Sequence, residues 1–212
     1  MTDNAVQIDF IADLCCPWCY VSWRALDVAM SAHPNVTFQR RWGAFILRPD
    51  TPKEGFDQKA HLAKIFEGQP ERAEAARAAL QAAADDARAP LNLDAAKRLP
   101  NTMNAHRMVE WANGQSRLVD MIDALFTAYF VHGRDIGDDG VLSDIAGELG
   151  MDRRAAQEAL RGEEDWTRVS NAHNAAVKAG VRGVPVVIFN HKFARQGAES
   201  VAAYSTHLSA AL

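Results

Sequence analysis

The chain lacks the features of a membrane-spanning or nucleic-acid-binding protein. None of its apolar runs approaches the roughly 18 to 20 residues that a helix needs to cross a bilayer. Its 212 residues include 23 basic and 27 acidic side chains, for a net charge of -4, and no run of Lys and Arg is long enough to follow a phosphate backbone. We therefore expect no membrane and no nucleic acid as a partner, and small molecules or proteins instead.

The N-terminus also lacks a secretory pattern. Residues 1–9 contain no basic segment followed by an apolar one, so the expected compartment is the cytoplasm. The chain has no internal repeat, and 48% of its residues are apolar, which suffices for one sizeable hydrophobic core. The composition predicts an ordinary globular protein.

Cysteine is scarce, and its placement is informative. The three cysteines, Cys15, Cys16 and Cys19, lie within five residues of one another, so they cannot form a framework of disulfides that staples distant parts of the chain. Two uses remain for such a cluster, a catalytic dithiol or metal ligation.

The motif Cys16-Pro17-Trp18-Cys19 favours the dithiol. It follows a predicted buried strand over 6–12 and starts a predicted helix over 17–31, with Pro17 at the first helical position and Cys16 as the N-cap. We expect the Cys16 sulfur to accept hydrogen bonds from the backbone N–H groups of Trp18 and Cys19, which would stabilise a thiolate. The motif therefore predicts a redox-active pair.

The remaining pattern predicts a sheet that is interrupted by helices. A second strand over 36–45 completes a β-α-β unit with parallel strands, and a turn-rich connector follows over 48–55. Pro185 cannot donate to a central sheet ladder, so we expect it at a strand start or in a special turn with a cis peptide bond. Helices are predicted over 71–88, 101–111, 117–131, 138–149, 152–160, 166–179 and 199–212, and further strands over 184–189 and 192–195.

Four sequence blocks, in this order along the chain, carry a resemblance to a known family. They are Asp13 to Tyr20, Phe45 to Asp50 with Glu54-Gly55, Ala105-His106-Arg107, and Gly183-Val184-Pro185. Together they resemble the DsbA family, and more closely its FrnE-like branch, which is related to 2-hydroxychromene-2-carboxylate isomerases and kappa-class glutathione transferases.

The resemblance implies a fold and a domain arrangement. The expected fold class is α/β, a thioredoxin-like fold with a large all-helical insertion. Residues 1–45 and 164–212 would form the thioredoxin-like domain, and residues 46–163 the helical insertion.

The resemblance also implies a thiol-disulfide oxidoreductase that works through a mixed disulfide. Cys16 matches the nucleophile and Cys19 the resolving cysteine, while Trp18, Val184 and Pro185 match substrate-binding positions. The cis-proline would face the dithiol, and the main chain of Val184 would pair with an extended substrate. The implied partners are thiol or disulfide substrates, with glutathione as a conceivable co-substrate, no other cofactor, and a homodimer as one option.

Two other functions and one other site stay open. A glutathione-dependent isomerase or kappa-class-like transferase shares this architecture, but those enzymes are known for a serine at the position of Cys16. A non-catalytic thioredoxin-fold module is the third function. A zinc site would require a second ligand pair of similar spacing, so we predict no metal.

Several residues near the motif have two interpretations. Cys15 fits a small buried residue near the end of the first strand, or a third thiol that traps its neighbours. Trp42 could line a substrate groove or pack in the core. His106 and Arg107 could bind a carboxylate or act as a capping or solvated pair, and Asp13 could interact with the helix dipole or relay protons.

Overall fold

The computed structural model describes residues 5–163 and 165–212. Residues 1–4, which belong to the segment without a secretory pattern, and residue 164, at the predicted domain boundary, lie outside the described residues. In chain order the elements are β1 (Ala5–Ala12), α1 (Pro17–Ser31), β2 (Thr37–Ala44), β3 (Phe56–Asp57), α2 (Gln58–Ile65), α3 (Pro70–Asp86), β4 (Arg98–Leu99), α4 (Met103–Asn113), α5 (Leu118–Phe130), α6 (Asp139–Glu148), α7 (Arg153–Arg161), α8 (Trp166–Lys178), β5 (Val186–Phe189), β6 (Phe193–Gln196) and α9 (Val201–Ala211).

The main sheet has four strands in the order β2-β1-β5-β6. β1 and β2 are parallel over their full length, from the pair Ala5 and Thr37 to the pair Ala12 and Ala44, so the predicted β-α-β unit is confirmed. β5 joins β1 antiparallel, and β6 joins β5 antiparallel. Burial alternates along β1, with every second residue fully covered, as expected for a strand whose one face packs on the core.

α1, the helix that starts at the dithiol motif, is held from two sides. It packs against α9 and also contacts α3 and α5. The buried Trp23 joins α1 to α5, because its Nε1–H donates to Asp123 Oδ1 over 2.6 Å. The Arg40 guanidinium lies 4.6 Å from the centre of the Trp23 ring and also pairs with Asp27. Helix α1 is therefore fixed by contacts with β2 and α9 and also by contacts with α3 and α5 of the helical segment.

The regular elements that the structure describes between β2 and α8 are six helices and one short strand pair, and the α/β thioredoxin-like fold class is confirmed. One detail differs from the prediction, because β3 and β4 form a two-residue antiparallel pair inside this segment. A pair this short leaves no periodic pattern in the sequence. α2 was also not predicted, since none of its side chains is buried and it carries no apolar stripe. The division into domains stays a prediction.

Within the part of the chain that the structure describes, no helix is long and apolar enough to cross a bilayer.

Candidate functional site

The dithiol motif lies where the sequence predicts it. Cys16 has an extended backbone and is the N-cap of α1, and Pro17 occupies the first turn, where its missing N–H is not needed. The carbonyl oxygen of Cys16 accepts the N–H of Cys19 at 3.0 Å and that of Tyr20 at 3.2 Å. Both cysteines of the motif are therefore fixed by the first turn of the helix, and both are free thiols.

No capping hydrogen bond of normal geometry reaches the Cys16 sulfur, so the predicted cap is present only as a weaker interaction with the N–H groups of Trp18 and Cys19. The pKa of the Cys16 thiol is nevertheless lowered, first because the Cys19 thiol hydrogen-bonds to it. The N–H groups of Cys19 and Trp18 add to this from the helix N-terminus, against the opposing effects of burial and of the Asp13 charge. The expected direction is thus correct, but its main cause is the second thiol.

The two thiols of the motif differ sharply in environment. Cys16 is 6% exposed, whereas Cys19 is 0% exposed. Burial raises the pKa of the Cys19 thiol well above its ordinary value, and the hydrogen bond to Cys16 raises it further. The Cys16 thiol is therefore the one prone to ionise, and its fully covered neighbour Cys19 is held protonated.

Val184 contacts Cys16, with Pro185 next to it in the chain and Trp18 in the first turn of α1. The Cys16 Sγ lies 3.9 Å from the carbonyl oxygen of Val184, as a weak S–H donor. The peptide bond between Val184 and Pro185 is cis, and β5 begins directly after it, as expected from the sequence. Trp18 follows in the first turn of α1 and is 36% exposed. Substrate binding by these three residues stays a prediction.

Cys15 is buried and lies in the turn between β1 and α1. Burial raises the pKa of its thiol well above the ordinary value, and the nearby charge of Asp13 raises it further. A thiol in this state is a poor nucleophile, so the structure favours the interpretation of Cys15 as a small buried residue.

A buried polar network lies directly behind the motif, and its members are too far apart in the chain for a local sequence pattern to connect them. Asp13 Oδ2 accepts the N–H of Leu47 at 2.8 Å, and Asp13 Oδ1 faces His106 Nε2 at 3.4 Å. On its other side, His106 Nδ1 accepts the Trp42 Nε1–H at 3.1 Å. Burial acts to raise the pKa of Asp13, but the contacts with His106, Leu47 and Thr102 together hold it below its ordinary value.

Trp42 is a packing residue that also donates a hydrogen bond. Its ring stacks on Phe10 with centroids 6.0 Å apart and meets Trp23 and Phe126 edge-on. The groove interpretation of Trp42 is therefore not supported, and its N–H serves the buried network instead.

Arg107 is buried and acts as a cap inside the protein. Its guanidinium donates to the carbonyl oxygens of Ala159 at 2.7 Å and Gly162 at 2.6 Å, at the C-terminal end of α7. The capping alternative for Arg107 thus agrees with the structure, whereas the solvated one does not.

A cavity of about 420 Å³ runs past Arg107, Asn104 and Trp166, and its lining does not include the dithiol.

No three His, Cys, Asp or Glu side chains come together as metal ligands within residues 5–163 and 165–212.

A parallel β-α-β unit with a dithiol at its helix start, followed by a cis-proline ahead of an antiparallel strand pair, defines a thioredoxin-like protein. The model of one family, the DSBA-like thioredoxin domain, matches residues 7–209. The chain belongs to this family.

Solved structures share the fold across nearly the whole chain. A probable DsbA oxidoreductase from Streptomyces coelicolor is 23% identical, with a TM-score of 0.84 over 97% of this chain and 89% of that one. A 2-hydroxychromene-2-carboxylate isomerase is 17% identical, with a TM-score of 0.73 over 96% and 95%. The cytosolic disulfide reductase DsbM from Pseudomonas aeruginosa, with GSH, is 16% identical, with a TM-score of 0.64 over 96% and 98%.

Proposed function

We propose that this protein is a thiol-disulfide oxidoreductase that uses Cys16 as the nucleophile and Cys19 as the resolving thiol. The observation that carries the proposal is the asymmetry of the pair: Cys16 is 6% exposed and has a lowered pKa, whereas Cys19 is 0% exposed and has a raised one. This is the arrangement that sequential thiol-disulfide exchange requires, since the thiolate is the attacking form.

In the proposed reaction the Cys16 thiolate attacks one sulfur of a substrate disulfide. A mixed disulfide forms, and the other substrate sulfur leaves as a thiolate with the bonding electron pair. Cys19 then loses its proton and attacks the Cys16 sulfur, which forms the Cys16–Cys19 disulfide and releases the second substrate thiolate. The dithiol gives up two electrons and the substrate disulfide gains them, and the reverse sequence oxidises a dithiol substrate.

In the first turn of α1, Trp18 offers an exposed aromatic surface next to the nucleophile in the chain, and Val184, which precedes Pro185, contacts the Cys16 sulfur through its carbonyl oxygen. We propose that these three residues contact the substrate, with the Val184 main chain pairing with an extended segment. The Val184 carbonyl oxygen already lies within 3.9 Å of the Cys16 sulfur, which supports this position.

We further propose that glutathione is one thiol partner and that no other cofactor takes part. The structural likeness to the cytosolic DsbM with GSH supports testing glutathione first, and it also supports a cytosolic setting. A glutathione-dependent isomerase is disfavoured, although its fold is similar, because this chain carries a thiol pair where those enzymes are known for serine.

The test is to trap the mixed disulfide. Reduced Cys19→Ser protein, exposed to oxidised glutathione or to a disulfide-containing protein, is expected to accumulate a stable adduct on Cys16, found by peptide mass spectrometry. Wild-type protein should instead end with an internal disulfide, and Cys16→Ser should form neither product. An adduct-free Cys19→Ser protein, or an equal adduct on Cys15, would overturn the proposal.

A further inference from the structure

His207, in the middle of α9, faces two oppositely charged side chains with the same ring nitrogen. Its Nε2 lies 2.7 Å from Glu199 Oε2 and 3.3 Å from Arg195 Nε. Glu199 lies between β6 and α9, and Arg195 belongs to β6, the edge strand of the main sheet. The three side chains therefore connect the sheet edge to the last helix.

The two contacts of His207 Nε2 exclude each other. A ring nitrogen that carries hydrogen donates to the Glu199 carboxylate, whereas a ring nitrogen without hydrogen accepts the N–H of Arg195. When Nε2 accepts from Arg195, Glu199 Oε2 has no hydrogen-bond donor among the described residues, although this atom is covered from solvent. A covered carboxylate oxygen without a donor is unfavourable, so the contact with Glu199 needs the hydrogen on Nε2.

The imidazole ring is held by aromatic neighbours, so a change of partner needs no large movement. Its centroid lies 5.7 Å from that of Phe189 on β5 and 6.0 Å from that of Phe193 on β6. The Arg195 guanidinium lies over the same Phe193 ring, 5.2 Å from its centre. The His207 side chain is 14% exposed, so the ring is fixed in place and still in contact with solvent.

The charged groups that face His207, in the part of the chain that the structure describes, are the Arg195 cation of β6 and the Glu199 carboxylate. β5 presents an aromatic ring to it. Tyr204 lies one turn earlier on α9, and burial, followed by the charge of Glu199, raises its pKa to about 12, so it stays neutral. Histidine is the side chain that gains and loses charge near neutral pH, so a change of charge in this cluster falls on the imidazole.

The segment that carries Glu199 also reaches the candidate site. The N–H of Gly197 donates to the carbonyl oxygen of Pro185 at 2.8 Å. The preceding carbonyl oxygen, that of Val184, is the one that lies 3.9 Å from the Cys16 sulfur. The hold on Glu199 therefore bears on the chain that lies next to the nucleophile.

We propose that His207 is a proton-sensitive switch, which holds Glu199 when its ring is protonated and bonds to Arg195 when the proton has passed to solvent. In the protonated ring both nitrogens carry hydrogen, so Nε2 donates to Glu199 and the like charge repels Arg195. In the neutral ring the hydrogen stays on Nδ1, Nε2 accepts from Arg195, and the segment with Glu199 is released. This inference goes beyond the proposed function and does not rest on it.

The experiment follows the ring of His207 by NMR in the full chain, with ¹⁵N-labelled histidine, between about pH 5 and pH 8. The ¹⁵N shifts report which ring nitrogen carries hydrogen. We expect the neutral ring to carry its hydrogen on Nδ1, and we expect the amide signal of Gly197 to move with the same midpoint as the ring. A neutral ring with its hydrogen on Nε2 would overturn the inference.

Two variants test the partners separately. Glu199→Gln removes the negative charge and should lower the midpoint of the His207 titration by at least about half a pH unit, whereas Arg195→Gln removes the positive charge and should raise it by a similar amount. Arg154→Gln is the matched control, because this exposed arginine lies on α7 and pairs with Glu158 there. The control should leave the midpoint unchanged. Shifts of both variants in the same direction, or no shift in either, would refute the switch.

His207→Phe tests the connection to the candidate site, since it keeps an aromatic ring in place and removes both ring nitrogens. The Gly197 amide signal should then no longer change over this pH range. A Gly197 signal that titrates as in the wild type would contradict the inference. These measurements use the reduced protein without any disulfide substrate, so their outcome is independent of the proposed function, which fails on the trapping experiment alone.

Discussion

The Cys19 thiol hydrogen-bonds to the Cys16 thiol and is the largest cause of the lowered pKa of Cys16. The same contact raises the pKa of Cys19, which burial has already raised. Each thiol thus reinforces the role of its neighbour: Cys19 stabilises the ionised form of Cys16, and Cys16 keeps Cys19 protonated until the mixed disulfide exists.

This relationship predicts how the two thiols respond to substitution at Cys19. Cys19→Ala removes the donor, so the pKa of Cys16 should rise and its alkylation rate at neutral pH should fall. Cys19→Ser keeps an O–H donor and should retain more of the lowered pKa. The measurement is the rate of iodoacetamide labelling of Cys16 against pH, read by peptide mass spectrometry. Equal midpoints for the Ala and Ser variants would contradict the assignment of the cause.

Cys15 should be dispensable for exchange. Its thiol is buried and protonated, so Cys15→Val should leave the rate of disulfide exchange close to that of the wild type. The free energy of unfolding should change by less than about 1.5 kcal/mol, as for other swaps of similar volume. Parallel exchange and urea-unfolding measurements check both points. A large loss of exchange in a stably folded Cys15→Val would restore the interpretation of Cys15 as a third working thiol.

Arg107 should matter for stability through its contacts with the end of α7. Arg107→Met leaves the buried carbonyl oxygen of Leu160 and the partly buried one of Ala159 without their charged donor, which should lower the free energy of unfolding by about 3 kcal/mol. Arg154→Met is the control, since that side chain is exposed and pairs with Glu158 across one helical turn. The control should change stability by less than about 0.5 kcal/mol in urea unfolding. Similar losses for both variants would refute the capping role.

Gly133 after α5 should tolerate no side chain. Its φ is +66°, and a Cβ there would clash with the backbone carbonyl of Ala95. Gly68 has a similar φ of +70° but open space around it, so Gly68→Ala should cost only about 1–2 kcal/mol for the left-handed conformation. Gly133→Ala should cost on the order of 2 kcal/mol more. Thermal unfolding of the two variants provides the comparison, and equal melting temperatures would count against the close packing at Gly133.

The sequence predicted the parts of the fold in which a local pattern mirrors the tertiary structure. The alternation along β1, the apolar stripe of α5 and the proline at the start of α1 each encode burial or a cap, and each element forms where it was expected. α2 escaped prediction because it buries no side chain and so has no pattern to detect.

The candidate site likewise has one part that the sequence predicted and one part that it did not. The spacing of Cys16 and Cys19 and the position of Pro185 are local features, and they led directly to the dithiol. The contact between Asp13 and His106 joins residues 93 positions apart, and only the packing of α4 brings them together. The burial of both side chains, which brings a carboxylate and an imidazole together away from solvent, has no local signature in the sequence.

The central claim is that Cys16 and Cys19 form a reversible redox couple, and an equilibrium titration in glutathione buffers tests it most directly. Protein equilibrated across a series of ratios of reduced to oxidised glutathione is quenched with acid, and its disulfides are mapped by mass spectrometry. We predict a single two-electron transition between the dithiol and a Cys16–Cys19 disulfide, absent in Cys16→Ser and retained in Cys15→Val. Failure of this disulfide to form at any ratio would contradict the account.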